Sequence, residues 1–162
     1  MDMAKTHPKG HLNAKKMPMR AHENIEVFYK KLPVYNPQIT HGHKRKVTKA
    51  NYTREADGNS CYGKEVRDTL YDSTDRYPLD IQVFSNANQS GRIHNTQKPV
   101  GIYEYFIKTY TDENETVLDS AAGSMTCAIA AINTNRKVIC IEKDKRIFET
   151  GRDRVMEYLE KR

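Results

Sequence analysis

The 162 residues contain no tryptophan, and hydrophobic residues make up 37% against 30% charged. That supply is lean and furnishes one core, so one domain is the default. No run of about 18 apolar residues occurs, which speaks against a membrane span. The N-terminus is polar and basic with no apolar stretch, which speaks against a signal peptide. The three cysteines, Cys61, Cys127 and Cys140, are far apart. With no CxxC pair, neither a zinc ribbon nor a redox motif has support, and no metal site is expected. Buried thiols in a cytoplasmic chain are the expectation. No internal repeat is visible. Acidic residues are scarce only at the start. Residues 1–50 carry 11 Lys/Arg against 3 Asp/Glu, whereas the remainder is near balance, for a net charge of +6. A basic first third is either an electrostatic footprint for a polyanion or a solvated basic tail.

Three textures follow one another. In the first, Ile25, Val27 and Tyr29 alternate with Glu26 and Phe28, which predicts a strand. "LPVYNPQ" then places Pro33 and Pro37 close together and forces an extended exit. The second texture, from residue 40 to about 93, is polar and turn-rich, with "EADGNS" and "SNANQSGR". It lacks the apolar content for its own core, and reads as either an ordered recognition insert or a flexible loop region. "PLDIQVFS", residues 78–85, is a short candidate strand within it.

The third texture is the best patterned. In "KPVGIYEYFIKTY", Val100, Tyr103, Phe106, Ile107 and Tyr110 recur at helical spacing, and Pro99 suits a first turn. "ETVLD" and "KVICIE" read as short buried strands, each ending in an acid. "SMTCAIAAINT" between them reads as a helix of small residues. "DKRIFETGRDRVMEYLEK" reads as an amphipathic helix capped by Asp144, with Gly151 costing it about 1 kcal/mol relative to alanine. Strand, helix and strand with short connections imply a parallel pair and a right-handed crossover. Ligands of such sheets sit at the carboxyl ends of the strands. One end offers Asp119 and the turn Ser120-Ala121-Ala122-Gly123-Ser124. The other offers Glu142, Lys143 and Asp144. An acid about 20 residues beyond a glycine-bearing turn suits the two hydroxyls of a ribose. Met125 stands where a second glycine would be expected, so the turn is a poor pyrophosphate cradle, and a nucleoside without phosphates fits better. The bland alternatives are that Asp119 caps a helix and Glu142 is a surface acid.

"HNTQKPVGIYEYFIKTY", "ETVLDSAAGSMT" and "RKVICIEKD", in that order, resemble the C-terminal half of the beta-class DNA amino-methyltransferases. "NAKKMPMRAHENIEVFYKKLPVYNPQ" is similar to the family's segment before its target-recognition region. The resemblance implies an α/β architecture, a partial Rossmann-like S-adenosylmethionine-dependent methyltransferase fold with a polar target-recognition insert. It implies a basic segment with a sheet strand over 1–39, a recognition-like region over 40–93, and a cofactor-binding α/β unit over 94–162. It implies S-adenosylmethionine as cofactor and DNA as partner, with methyl transfer to adenine N6 or cytosine N4. By position, Asn95, Thr96, Gln97 and Lys98 would line the methionine end of the cofactor, Lys98 meeting its carboxylate. Asp119, Ser120, Ala121 and Gly123 would form the turn beneath it. Glu142 would bind the ribose, with Lys143 and Asp144 beside the adenine. Lys15, Lys16, Arg20, Lys44, Arg45 and Lys46 would meet phosphates.

Several residues depart from the family pattern. Asn95 replaces a proline, Ser120 and Ala121 replace Pro-Phe, and Met125 replaces a glycine, setting a flexible side chain where the cofactor passes. The family's catalytic Asp/Asn/Ser-Pro-Pro-Tyr motif, which holds the target amine and stacks on the flipped base, is absent. "RYPL" and "YNPQ" are the only Pro–aromatic neighbourhoods, and neither fits. In the family that motif lies upstream, so the residues here are expected to follow it, leaving bare strands and apolar faces for a complementing chain or a second copy to cover. No catalytic residue is expected within the chain itself. The alternative is an inactive homologue that binds DNA or protein.

Overall fold

In a computed structural model the described residues are 1–54, 65–84 and 97–162. They divide into two compact units. One comprises Met1–Gln38 with Leu79–Arg162, and the other Ile39–Pro78.

The first unit holds two separate sheets. β1 (Asp2–Lys9) is the centre of a three-stranded sheet in the order β2-β1-β5. It pairs antiparallel with β2 (Arg20–Asn24) and parallel with β5 (Ile81–Phe84). The strand predicted at residues 25–29 is not formed. The β1–β2 ladder runs out at the chain start, where the Ile25 amide donates to the Met1 carbonyl (2.8 Å). Phe28 and Tyr29, with no backbone to pair with, stay exposed. The candidate strand near 78–85 appears as β5. Proline-bearing 33–37 is extended, and Asn36 docks it onto the next helix by donating from its amide to Thr109 O (2.8 Å).

The second sheet is the parallel pair β6 (Thr116–Asp119) and β7 (Lys137–Cys140), in register Val117↔Val138 and Leu118↔Ile139. Between them runs α2 (Thr126–Asn133), whose alanines pack without gaps. Ala130 and Ala131 are fully buried against Ile107 and Cys127. α1 (Val100–Tyr110) precedes this unit, with Pro99 as N-cap just outside the first helical turn. Side chains alternate across a strand, so Val117 and Val138 face the helices while Leu118, Ile139 and Ile141 do not. These three are 62%, 54% and 52% exposed. α3 (Lys145–Glu160) follows, started by Asp144, whose carboxylate accepts from the Ile147 amide (2.9 Å). Residues of α1 predicted as one stripe divide between two surfaces. Val100, Tyr103 and Ile107 pack on α2. Phe106 and Tyr110 stack together and join Tyr105, Phe84 and Tyr35 in an aromatic ladder.

The second unit contains β3 (Lys46–Arg54) and β4 (Glu65–Ser73), antiparallel in continuous register from Lys46↔Ser73 to Arg54↔Glu65. Arg76 closes its open end, donating to the carbonyls of Lys44 (2.6 Å) and Asp75 (2.6 Å). Of the two alternatives for this polar stretch, its described part is thus paired rather than loose. Among the described residues no helix is long and apolar enough to cross a membrane.

Candidate functional site

The carboxyl ends of β6 and β7 are joined beyond the strands themselves. The Ile141 amide donates to Asp119 O (2.8 Å), and the Ala122 amide donates to Ile141 O (2.9 Å). This draws residues 119–125 into a tight turn over the end of β7. Asp119 shapes its beginning by accepting from the Ala121 amide (3.1 Å). Gly123 adopts a φ of 49°. A Cβ built there would meet nothing nearer than Ala121 O at 4.0 Å, so the turn is open on that side.

Glu142 grips the turn from across the strand ends. One carboxylate oxygen accepts from the Gly123 amide (2.9 Å), the other from the Asp144 amide (3.0 Å). These backbone donors, Asp144 first and Gly123 second, hold its acid below the ordinary glutamate range. A carboxylate has about four acceptor directions, so each oxygen retains capacity for a hydroxyl donor. Asp144 is committed to capping α3. Lys143 is exposed.

The turn is also supported from beneath. Arg154, half-buried on α3, donates from one nitrogen to Ser124 O (2.7 Å) and Thr126 Oγ1 (3.1 Å). Gly151 passes so close that a Cβ there would lie 2.8 Å from Gly123 O and 2.9 Å from Met125 Cγ. Met125 has a left-handed backbone (φ 53°) and is only 5% exposed. Its side chain packs with Ala122, Ala128, Phe148 and Val155. Met125, which the sequence sets where the cofactor would pass, is packed into the core beside α3. Cys127, two residues further on, is buried, and its thiol is pushed up to about 12 by burial and then by Asp119, which disfavours the thiolate.

Gln97 and Lys98, both half-buried, lead into α1. The first turn of α1 lies near the Asp119 end: Tyr103 packs on the α2 cluster, and its phenol is raised by burial and by the Asp119 charge. Lys98 donates from its ammonium to Glu23 of β2. Asn95 and Thr96 lie outside the described residues, as does Cys61. Lys15, Lys16 and Arg20 are exposed in the first unit, and Lys44, Arg45 and Lys46 in the second. Arg45 is already clasped by Asp72, at 2.7 and 2.5 Å. Glu23 and Arg154 were not singled out from the sequence, and Gly151 only for its cost to the helix. The spacing Ile147, Gly151, Arg154, Tyr158 marks one face of α3 and was the available signal for the last two.

Residues 1–153 match the profile of a DNA methylase family, N6_N4_Mtase. The type II methyltransferase M.HpaI of Haemophilus parainfluenzae is 32% identical over 81 residues, 48% of this chain and 26% of that protein. The type II methyltransferase M2.MboI of Moraxella bovis is 34% identical over 64 residues, 40% of this chain and 23% of that protein. The aligned part thus spans about a quarter of these relatives. The crystal structure of M1.HpyAVI in complex with SAM superposes with a TM-score of 0.57 at 20% identity, over 96% of this chain and 60% of that one. At that identity the likeness establishes the fold: a partial Rossmann-like methyltransferase α/β architecture.

Proposed function

The chain belongs to the N6/N4 DNA methylase family, and from that premise we propose that it is the cofactor-binding and DNA-recognition half of a methyltransferase. In this reading it binds S-adenosylmethionine, works on adenine N6 or cytosine N4 of DNA, and is completed by a catalytic segment carrying a Pro-Pro-aromatic motif. The observation that carries the reading is the Glu142 clamp. An ionised carboxylate is fixed by two backbone amides at the carboxyl end of a parallel strand pair, beside an open glycine turn. Such a group accepts from vicinal ribose hydroxyls without rearranging, because its own orientation is already fixed.

The residues present suit the cofactor. Glu142 would hold the ribose, the backbone of Ala121 and Gly123 would lie under the thioether, and Lys98 would meet the carboxylate of the methionine end. When bound, the cofactor supplies an electrophilic methyl group. The chain's own part is to orient it and to keep its charged end paired. Exposed Lys15, Lys16, Arg20, Lys44 and Lys46 would meet phosphates, with the β3–β4 unit as the target-recognition part. Arg45 would do the same with its guanidinium oriented by Asp72.

The need for a completing segment is supported by the bare face of β6–β7. Among the described residues these strands pair only with each other. Calorimetric titration with S-adenosylmethionine tests the proposal: saturable binding is expected, lost in Glu142→Ala. Absence of binding by the unmodified chain overturns it. That result would favour the second reading, an inactive homologue acting as a DNA- or protein-binding module.

A further inference from the structure

We propose that Glu23 is a positioning residue for Lys98, fixing the lysine ammonium where the carboxylate of the cofactor's methionine end arrives. This deepens the cofactor reading above and rests on it. Glu23 is the one side chain of β2 that is not exposed. An acid at the least exposed position of a strand calls for a compensating charge, and Lys98, 75 residues away in sequence, supplies it. Both side chains are partly covered, 41% exposed for Lys98 and 37% for Glu23.

The route by which Glu23 reaches Lys98 is built into the sheet. Glu23 lies opposite Met3 of β1, and Met3 lies opposite Gln82 of β5. Phe84 of β5 packs edge-on against Tyr105 of α1, with ring centroids 6.2 Å apart, and lies 4.0 Å from a Cβ built on Gly101. The three-stranded sheet is thereby held against the start of α1, where Lys98 leads in. Tyr103, one turn into the same helix, faces the Asp119 end. Lys98, which leads into that helix, thus joins the Glu23 strand to the element that carries Tyr103.

Lysine carries a point charge on a flexible four-carbon stem, and unlike arginine it has no planar fork to preset its direction. A carboxylate tether supplies that direction. The ammonium has three donors, so a second carboxylate can share the nitrogen with the first. In this reading the ligand must carry an anionic end as well as its adenosine.

The test is calorimetry on the full chain with two probes. S-adenosylmethionine has the amino-acid end, and 5′-methylthioadenosine keeps the adenosine and sulfur but lacks it. Glu23→Gln is expected to weaken S-adenosylmethionine about tenfold, the scale of one charge-assisted contact, and to leave methylthioadenosine within about twofold. Glu23→Asp is expected to recover most of the loss. Glu23→Gln added to Lys98→Met is expected to change nothing further. Thermal melts of each variant check folding, and if Glu23→Gln fails to fold, the Glu23→Asp chain carries the comparison between probes. Unchanged or tighter S-adenosylmethionine binding in Glu23→Gln overturns the inference, and so does equal weakening of both probes. An unmodified chain that binds methylthioadenosine but gains nothing from the amino-acid end sinks the inference alone. One that binds neither probe sinks the cofactor reading with it.

Discussion

At the scale of single residues, Glu142 links the site to the stability of the fold. Its acid is depressed because backbone amides of Asp144 and Gly123 stabilise the ionised form. A group with a depressed folded-state pKa contributes stability above its unfolded value, and that contribution is lost as pH falls through the folded value. The relevant window therefore lies at and below the ordinary glutamate value of 4.5. Thermal melts between about pH 6 and 3, bracketing the usual carboxylate range, are expected to show a loss of midpoint that is shallower in Glu142→Gln. Identical pH slopes in the two proteins would show that the clamp is not maintained in solution. Met125 illustrates a conflict settled by packing. A non-glycine residue in the left-handed region costs roughly 1–2 kcal/mol, yet burying a side chain of this size returns a similar or larger amount. The family's glycine would relieve the backbone and empty part of the space under α3.

At the scale of elements, α3 is held against the turn by a glycine. Gly151 in mid-helix is unfavourable by about 1 kcal/mol on propensity alone. The reason for it is the approach to Gly123 O, a backbone atom that cannot move aside. Gly151→Ala is expected to destabilise the chain by about 1–2 kcal/mol in urea unfolding, overpacking outweighing the propensity gain, and to weaken S-adenosylmethionine through displacement of the turn. A more stable variant would mean that the contact is looser than described. Elements carried by local pattern were legible in the sequence: the parallel pair around a small-residue helix, the Asp144 cap, and the helix after Pro99. β1 was not, because Thr6, His7 and Pro8 give no strand signal and its central place depends on β5, far along the chain. The false strand at 25–29 failed for the complementary reason: alternation without a neighbour to pair with. In the site, acids at strand ends were readable from spacing. The Glu23–Lys98 pair was not, because it joins residues 75 apart whose meeting depends on how the sheet packs against α1. The inward turn of Met125 depends in the same way on a helix that comes later in the chain.

At the scale of the whole molecule, the bare sheet face dominates. Leu118 and Ile139 are register partners, and Ile141 continues their row. Light scattering on the purified chain is expected to show association that reverses on dilution, abolished when Leu118→Lys and Ile139→Lys are combined. Because both side chains are exposed, the double variant is expected to fold, somewhat less stably than the parent because the two lysines face each other. A parent chain that stays monomeric at every concentration would refute the need for a completing surface. The close approach of Gly151 to the turn carries a separate consequence. With no side chain between them, the turn and α3 have nothing compressible to absorb a shift. Loading the turn would then be felt along α3 as slower exchange of its amide protons with solvent. The last helix would act as a strain gauge, reporting occupancy on the open side of a turn that it touches only from behind.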